Sequence, residues 1–383
     1  MTQRASIGWA GLCAFFLAVP ATLHADPPAE EEAPIALMVD LGSGQTLHAR
    51  ESARRFLPAS ITKVMTAYCA FEMLAGGTLR ADQKFIVSDA IHRDWSGRGS
   101  TMFLQRGAEV SVDELLRGIT TVSANDGSVM LATEAAGSVE AWVSLMNRTA
   151  GELGMDDSHF GTPNGWPDEG RTFTTAHDLA LLAEAMVTRH PELYSRYFGH
   201  RSYRYDGRTQ ANHDPISGVV PGADGIKTGF TREAGNNFLG SATRDGRRLV
   251  MVVAGVESED ERARVARDYI AWGFEHFENR TLFTEGASVG EAQVQGGAER
   301  HVPLRTARPV LASLPKGGEG EIALTLHYRG PIEAPIAAGD RIAELEVQVE
   351  GFSPYRVPLQ AAEGVARADP WQRLVNGVLG FLT

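Results

Sequence analysis

Three short stretches of this chain set a hydroxyl beside an amine or an amide at spacings that suit nucleophilic catalysis. In Ser60-Ile61-Thr62-Lys63 the hydroxyl and the amine stand three residues apart, which on a helix puts them on one face within reach of each other. A serine hydroxyl is a poor nucleophile until a base takes its proton. A lysine becomes that base when burial or a neighbouring positive charge lowers its pKa, and the backbone N–H groups of a helix start favour a developing oxyanion. Ser123-Ala124-Asn125 offers a second hydroxyl and an amide, which can relay a proton and hold a substrate amide. Lys227-Thr228-Gly229 offers a cation for a carboxylate, a hydroxyl for a further hydrogen bond, and a glycine past which a substrate backbone can approach. Each stretch alone has a plainer reading: a capping serine with a surface lysine, a turn with an N-cap, an edge strand with a solvating lysine. Together they are harder to dismiss, because the chain has only four lysines and two of them fall inside these patterns.

The elements that must position these groups can be read around them. Ile35 to Asp40 and Gln45 to Ala49 form a hairpin across Gly42-Ser43-Gly44. Pro58 opens a helical run through Leu74 in which Ile61, Val64, Met65, Tyr68 and Phe71 recur at helical spacing, so Ser60 and Lys63 sit at its start. Helical patterns over 112–119, 126–136, 139–153 and 176–188 leave Ser123 on a loop between two helices. Residues 236–256 alternate as two strands joined at Asp245-Gly246, and 259–278 read as a long helix carrying Arg262, Tyr269, Trp272 and Phe277. After about residue 284 the period changes to two. Ala343, Leu345, Val347 and Val349 alternate with Glu344, Glu346, Gln348 and Glu350, which indicates a small all-β domain. A Glu/Gly/Ala stretch over 361–368 reads as a linker. Beyond it Trp371, Leu374, Val375, Val378, Leu379 and Leu382 form one apolar stripe behind the start signal Asp369-Pro370. That helix, roughly 20 Å long, is too short to span a bilayer.

At 383 residues the chain suits two domains, and 43% hydrophobic with 22% charged residues can bury real cores. A net charge of −12 excludes the basic face that nucleic acid requires. Arg4 followed by an apolar run to Leu23 and a small-residue site at Ala25 reads as a secretory signal peptide over 1–25. Its removal leaves Cys69 as the single cysteine, so no internal disulfide is expected. A Gly-x-Ser-x-Gly match at Gly286 to Gly290 would mark a nucleophile only between a strand and a helix. The eleven histidines form no His-Glu-x-x-His cluster and no Gly-Lys-Ser/Thr phosphate loop exists, so neither a metal nor an organic cofactor is expected.

Ser-x-x-Lys, Ser-Asp-Asn and Lys-Thr-Gly in this order are the known signature of penicillin-binding proteins and class A β-lactamases, and here the middle residue of the second is Ala124. The chain resembles the low-molecular-mass penicillin-binding proteins that are D-alanyl-D-alanine carboxypeptidases. The likeness extends through Leu57 to Tyr68, Asp224 to Thr231, Ala234 to Asn237 and Ser241 to Arg244. It implies an α+β fold: a penicillin-binding/β-lactamase-like catalytic domain over 35–283, with an antiparallel sheet flanked by helices and a helical lobe. A disordered segment over 26–34 precedes it. A small β-sandwich follows over 284–362, then a linker and amphipathic membrane-anchor helix over 363–383. The resemblance implies that Ser60 is acylated, that Lys63 takes its proton, and that Ser123 and Asn125 complete the relay and hold the substrate amide. It implies that Lys227 and Thr228 bind the terminal D-alanine carboxylate, with Gly229 giving the backbone its close approach. It further places the oxyanion hole at the N–H groups of Ser60 and Phe230, and a carboxylate-binding arginine at Arg262. Phe230 stands where histidine is usual, and Asn212-His213-Asp214 replaces a more basic stretch.

The implied partners are peptidoglycan stem peptides, β-lactams and, through the tail, the outer face of the inner membrane in the periplasm; no nucleic acid is among them. A murein endopeptidase, a β-lactamase and a non-catalytic wall-binding scaffold are the competing readings.

Overall fold

The computed structural model describes residues 5–6, 27–28, 32–318 and 320–369. The signal-peptide reading of 1–25, apart from residues 5–6, and the apolar stripe from Trp371 to Leu382 therefore lie outside the described residues, as do 26 and 29–31 of the segment 26–34. Residues Asp26–Leu41 and Leu47–Glu275 form one compact unit, and Gly42–Thr46 with His276 onward belong to a second.

The larger unit is built on a five-stranded antiparallel sheet. Its strands are β1 (Ile35–Asp40), β2 (Gln45–Arg50), β3 (Ala223–Thr231), β4 (Gly235–Arg244) and β5 (Arg247–Val256), in the order β2-β1-β5-β4-β3. The β4–β5 hairpin turns at Asp245-Gly246, both with positive φ, as the two-residue turns favoured by strand twist require. The central strand β5 is buried from Leu249 to Ala254, so it is covered on both faces. Val250 and Val252 join the core that holds the helical lobe. Leu249 faces the opposite way, where the helix Glu259–His276 (α6 below) lies so close that a Cβ on Gly273 would overlap Met38. The expected 259–278 helix ends at His276 because Phe277 opens a strand of the second unit.

The lobe consists of α1 (Thr62–Ala75), α2 (Val112–Thr121), α3 (Asn125–Ala136), α4 (Val139–Glu152) and α5 (Ala176–Arg189), followed in the chain by α6 (Glu259–His276). Ser111 and Glu114 close a capping box at the start of α2. Gly137, left-handed at φ 84°, ends α3. α1 and α3 depart from the one-sided helices the periodicity predicts, since every residue from Thr62 to Phe71 and from Asn125 to Ala132 is buried, the polar ones included.

The second unit is all β. Strands Ile322–His327, Arg341–Val349, Tyr355–Ala361, His301–Thr306 and Ser288–Gln295 pair antiparallel in that order, and Phe277–Phe283 pairs with Val310–Pro315. Ala343, Leu345, Val347 and Val349 are buried, as the alternation demands. The stretch read as a linker is instead packed here: Val365 bridges Ile336, Arg367 bridges Gly297, and Val365 and Ala368 are buried. Its small residues let the backbone lie against the sheet, a role that composition alone does not separate from a linker. Ser288 of the Gly-x-Ser-x-Gly match is exposed at the start of a strand, without the strand–turn–helix setting a nucleophile elbow needs.

Candidate active site

Ser60 lies in a single 3-10 turn, Ala59–Ile61, that runs into α1. Ala59 has φ 49°, a left-handed conformation costly for a residue with a Cβ, and it sets Ser60 at the mouth of the helix. Three residues on, the Lys63 amine donates to Ser60 Oγ at 2.9 Å and to the carbonyl oxygen of Asn164 at 2.7 Å. Lys63 is 1% exposed. Burial, then the nearby charge of Lys227, holds its pKa well below that of a free lysine, with Asp126 opposing the shift. An amine in that state sheds its proton at far lower cost than a solvated one, which is what a base for Ser60 requires.

Ser123 sits between α2 and α3 with φ 61°, again left-handed, and its buried Oγ has no hydrogen-bond partner. Asn125 opens α3; its Nδ2 donates to the Arg98 carbonyl at 2.9 Å and its backbone N–H to the Ser100 carbonyl. Asp126 accepts from the backbone N–H groups of Met102, Leu104 and Gly127, so it ties the 102–104 segment to the start of α3. Burial raises its pKa.

The third stretch lies on β3, the edge strand of the sheet. Lys227 is 3% exposed and donates to the Thr228 carbonyl. Burial and then Arg262 lower its pKa to about 7, against the pull of Asp214. A Cβ on Gly229 would overlap the Pro58 carbonyl, which is why this edge can lie against the turn that carries Ser60. Asn237 on β4 adds a tie, donating to the Leu57 carbonyl at 2.9 Å. Arg262, on α6, is buried; it pairs with Glu259 at 3.1 Å and leaves its Nε without a partner.

A cavity of about 650 Å³ brings these parts together, lined by Ser60, Ser123, Asn125, Thr228, Phe230 and Arg262 among others, with the two lysines buried next to it. All nine residues singled out in the sequence thus converge on one place. Reading by spacing missed Asn164 and Trp166, and noted His213 only within the Asn212-His213-Asp214 stretch. Asn164 fixes Lys63 through a main-chain oxygen, and Trp166 and His213 line the cavity from loops. The one local sign was Gly165, where a Cβ would overlap the Ala59 carbonyl. Among the described residues no group of three or more histidine, cysteine or acidic side chains is placed to hold a metal ion.

Comparison with known proteins agrees with this arrangement. A family model described as D-alanyl-D-alanine carboxypeptidase matches residues 21–258, and one described as the C-terminal domain of penicillin-binding protein 5 matches 277–367. The D-alanyl-D-alanine carboxypeptidase DacD of Salmonella typhimurium is 33% identical over 94% of this chain and 93% of its own length. DacD of Escherichia coli is 33% identical over 91% and 90%. Penicillin-binding protein 5 from Haemophilus influenzae superposes with a TM-score of 0.77 at 28% identity, over 88% of this chain and 98% of that one. With a family match over most of its length and such relatives along nearly all of it, the chain belongs to the D-alanyl-D-alanine carboxypeptidase family.

Proposed function

We propose that the protein removes the terminal D-alanine from peptidoglycan stem pentapeptides through an acyl-enzyme on Ser60. The observation that carries this reading is the 2.9 Å contact between Ser60 Oγ and a buried lysine amine whose charge burial disfavours. Ser60 Oγ attacks the carbonyl carbon of the penultimate D-alanine while its proton passes to Lys63 Nζ. The tetrahedral oxyanion is held by main-chain N–H groups of Ser60 and Phe230. Collapse breaks the peptide bond, and the departing amine receives a proton through Lys63 and Ser123, leaving an ester on Ser60 that water hydrolyses. The terminal carboxylate sits toward the Thr228 hydroxyl and the cationic groups of Lys227 and Arg262. The rest of the stem runs along β3, an edge strand with main-chain groups available for pairing with an extended peptide.

A β-lactam places its strained amide where the peptide bond would lie and acylates the same serine. A structural relative at 27% identity and TM-score 0.57, penicillin-binding protein D2 from Listeria monocytogenes, was solved in an ampicillin-bound form. The expected products are free D-alanine from pentapeptide and a stable covalent adduct with labelled penicillin. Incubation with pentapeptide and with cross-linked muropeptides, read by mass, tests this. Cleavage of cross-links without D-alanine release would make the protein an endopeptidase, fast release of hydrolysed penicillin a β-lactamase, and no reaction with either a scaffold.

The periplasm, on the outer face of the inner membrane, is the proposed place of action. Among the described residues no helix is long and apolar enough to cross a membrane. The stripe from Trp371 to Leu382 would instead lie in the membrane plane, its apolar side chains in the headgroup boundary. Its only basic residue is Arg373, so attachment depends on apolar burial more than on charge. Deleting 370–383 should release soluble, active enzyme that high salt does not wash from membranes when the tail is intact; a truncated protein that stays membrane-bound overturns the anchor.

A further inference from the structure

An amide side chain has two unlike ends, and only one of them can accept a hydrogen bond from a substrate N–H. In Asn125 the choice between them is made by Arg98. The Arg98 carbonyl accepts from Asn125 Nδ2 at 2.9 Å, which fixes the NH2 end on the loop and turns Oδ1 the other way. The loop that supplies this carbonyl is an unpromising support. Arg98 stands between Gly97 and Gly99, both left-handed at φ 72° and 63°, and glycines give a backbone its greatest freedom.

Two main-chain bonds tie the loop, from Arg98 N–H to the Trp95 carbonyl and from Asn125 N–H to the Ser100 carbonyl, and to these is added the Arg98 side chain, which also donates to the Asp94 carbonyl at 3.3 Å. Its guanidinium carbon lies 5.8 Å from the Trp95 ring centroid and 5.5 Å from that of Trp166, within the range at which a cation is attracted to an aromatic face. The two indoles meet edge to face at 5.7 Å. Trp166 belongs to the segment whose Asn164 carbonyl receives Lys63, and a Cβ on Gly99 would press on both Asn125 Nδ2 and Trp166. The cation therefore clasps the loop that orients Asn125 to the loop that orients Lys63.

We propose that Arg98 is a positioning residue. By packing its guanidinium on Trp95 and Trp166 it keeps its own carbonyl on Asn125, and so presents Asn125 Oδ1 to the substrate amide. The proposal rests on the reading that Asn125 holds substrate, and its test separates the two. Arg98 is exposed and its replacement opens no core, so the folded protein should survive Arg98→Ala. Penicillin acylation and D-alanine release should fall about ten-fold in Arg98→Ala, with the thermal midpoint nearly unchanged. Arg98→Lys, which keeps a cation over the rings, should recover part of the loss.

The deciding measurement is a double-mutant cycle. In an Asn125→Ala background Arg98→Ala should cost little more, since the group it positions is gone; a merely structural loop residue would cost the same in both backgrounds. Full activity in Arg98→Ala beside a defective Asn125→Ala overturns the role of Arg98 alone, as does an undiminished second loss in the double variant. Full activity in Asn125→Ala overturns the reading of Asn125, and the proposal falls with it.

Discussion

In the β unit the strand Arg341–Val349 buries Ala343, Leu345, Val347 and Val349 and turns Glu344 and Glu346 away from the core. In the larger unit α1 buries ten consecutive residues, among them Thr62, Lys63 and Thr66. The contrast continues through both units. From His276 onward the buried polar residues, among those described, are Thr306 and Ser313, both neutral; the larger unit buries Lys63, Lys227, Asp126 and Arg262. Burying an ion without full compensation is costly, and the group responds by shifting toward its neutral form. The β unit thus has the interior of a part that only needs to be stable. The larger unit accepts unfavourable burial where the Lys63 amine must stand beside Ser60, and that penalty is what makes Lys63 a base.

The contrast breaks first at the nucleophile. Ser60→Ala should abolish D-alanine release and covalent penicillin labelling while leaving the fold intact, because Ser60 is the hydroxyl the lysine amine contacts. Peptide mapping that placed the penicilloyl group on Ser123 or Ser288 would overturn the assignment. Lys63→Arg keeps the charge but replaces a group that deprotonates with one that does not. Acylation should drop by about 10² to 10⁴-fold, the usual worth of a general base, and acylation at the wild-type rate would remove lysine from that role.

The second lysine sharpens the contrast through pH. Lys227 titrates at about 7 in the folded protein against 10.5 for an unperturbed lysine. Below the folded value both states carry the proton and the penalty for burying the charge is fully present. Between the two values the unfolded chain keeps a proton that the folded one has shed, so stability rises with pH. Lys227→Met should therefore be more stable than the wild type near neutral pH, by about 1 kcal/mol or more, with the gap narrowing as pH approaches about 10. Urea midpoints across that range measure it, and a gap that is constant with pH contradicts a depressed lysine. The same variant should bind substrate about ten-fold or more weakly, since a charged contact to the carboxylate is lost.

In the β unit the corresponding substitution acts on stability alone. Leu345→Ala removes a fully buried side chain from the alternating strand and should cost about 2–5 kcal/mol in the unfolding of that unit. The rate at which penicillin acylates Ser60 in the folded protein should stay as it was. A matching loss in acylation would mean that the second unit shapes the site.

What could be read in advance follows the same division. Strict alternation exposed the strand Arg341–Val349 of the β unit, because its pattern records which face is buried, and helical spacing located α2 to α5 within a residue or two. The motifs located Ser60, Ser123 and Lys227 because their chemistry is carried by side-chain identity. Asn164 acts through a main-chain oxygen, which every residue has, so no residue type betrays it. The packed 361–368 stretch escaped for a related reason. Its backbone bridges are sequence-independent, and only Ala361, Val365 and Ala368 mark the buried side.

The smallest effect is expected at Phe230, near the end of β3. Phe230 lines the cavity but is 58% exposed, among the described residues one of the few large apolar side chains so open to solvent. It lies on β3 and pairs with Asn236 on β4, so the ladder rather than its ring sets the main chain beside Ser60. If its contribution is the main-chain N–H toward the oxyanion, the side chain is replaceable: Phe230→His should change acylation by no more than about three-fold. Removing an exposed ring should also leave the thermal midpoint close to its present value, since little burial is lost. A larger gain in D-alanine release, with penicillin acylation unchanged, would show that the imidazole contacts the peptide itself. The cavity rim would then discriminate between peptide and lactam through this one position.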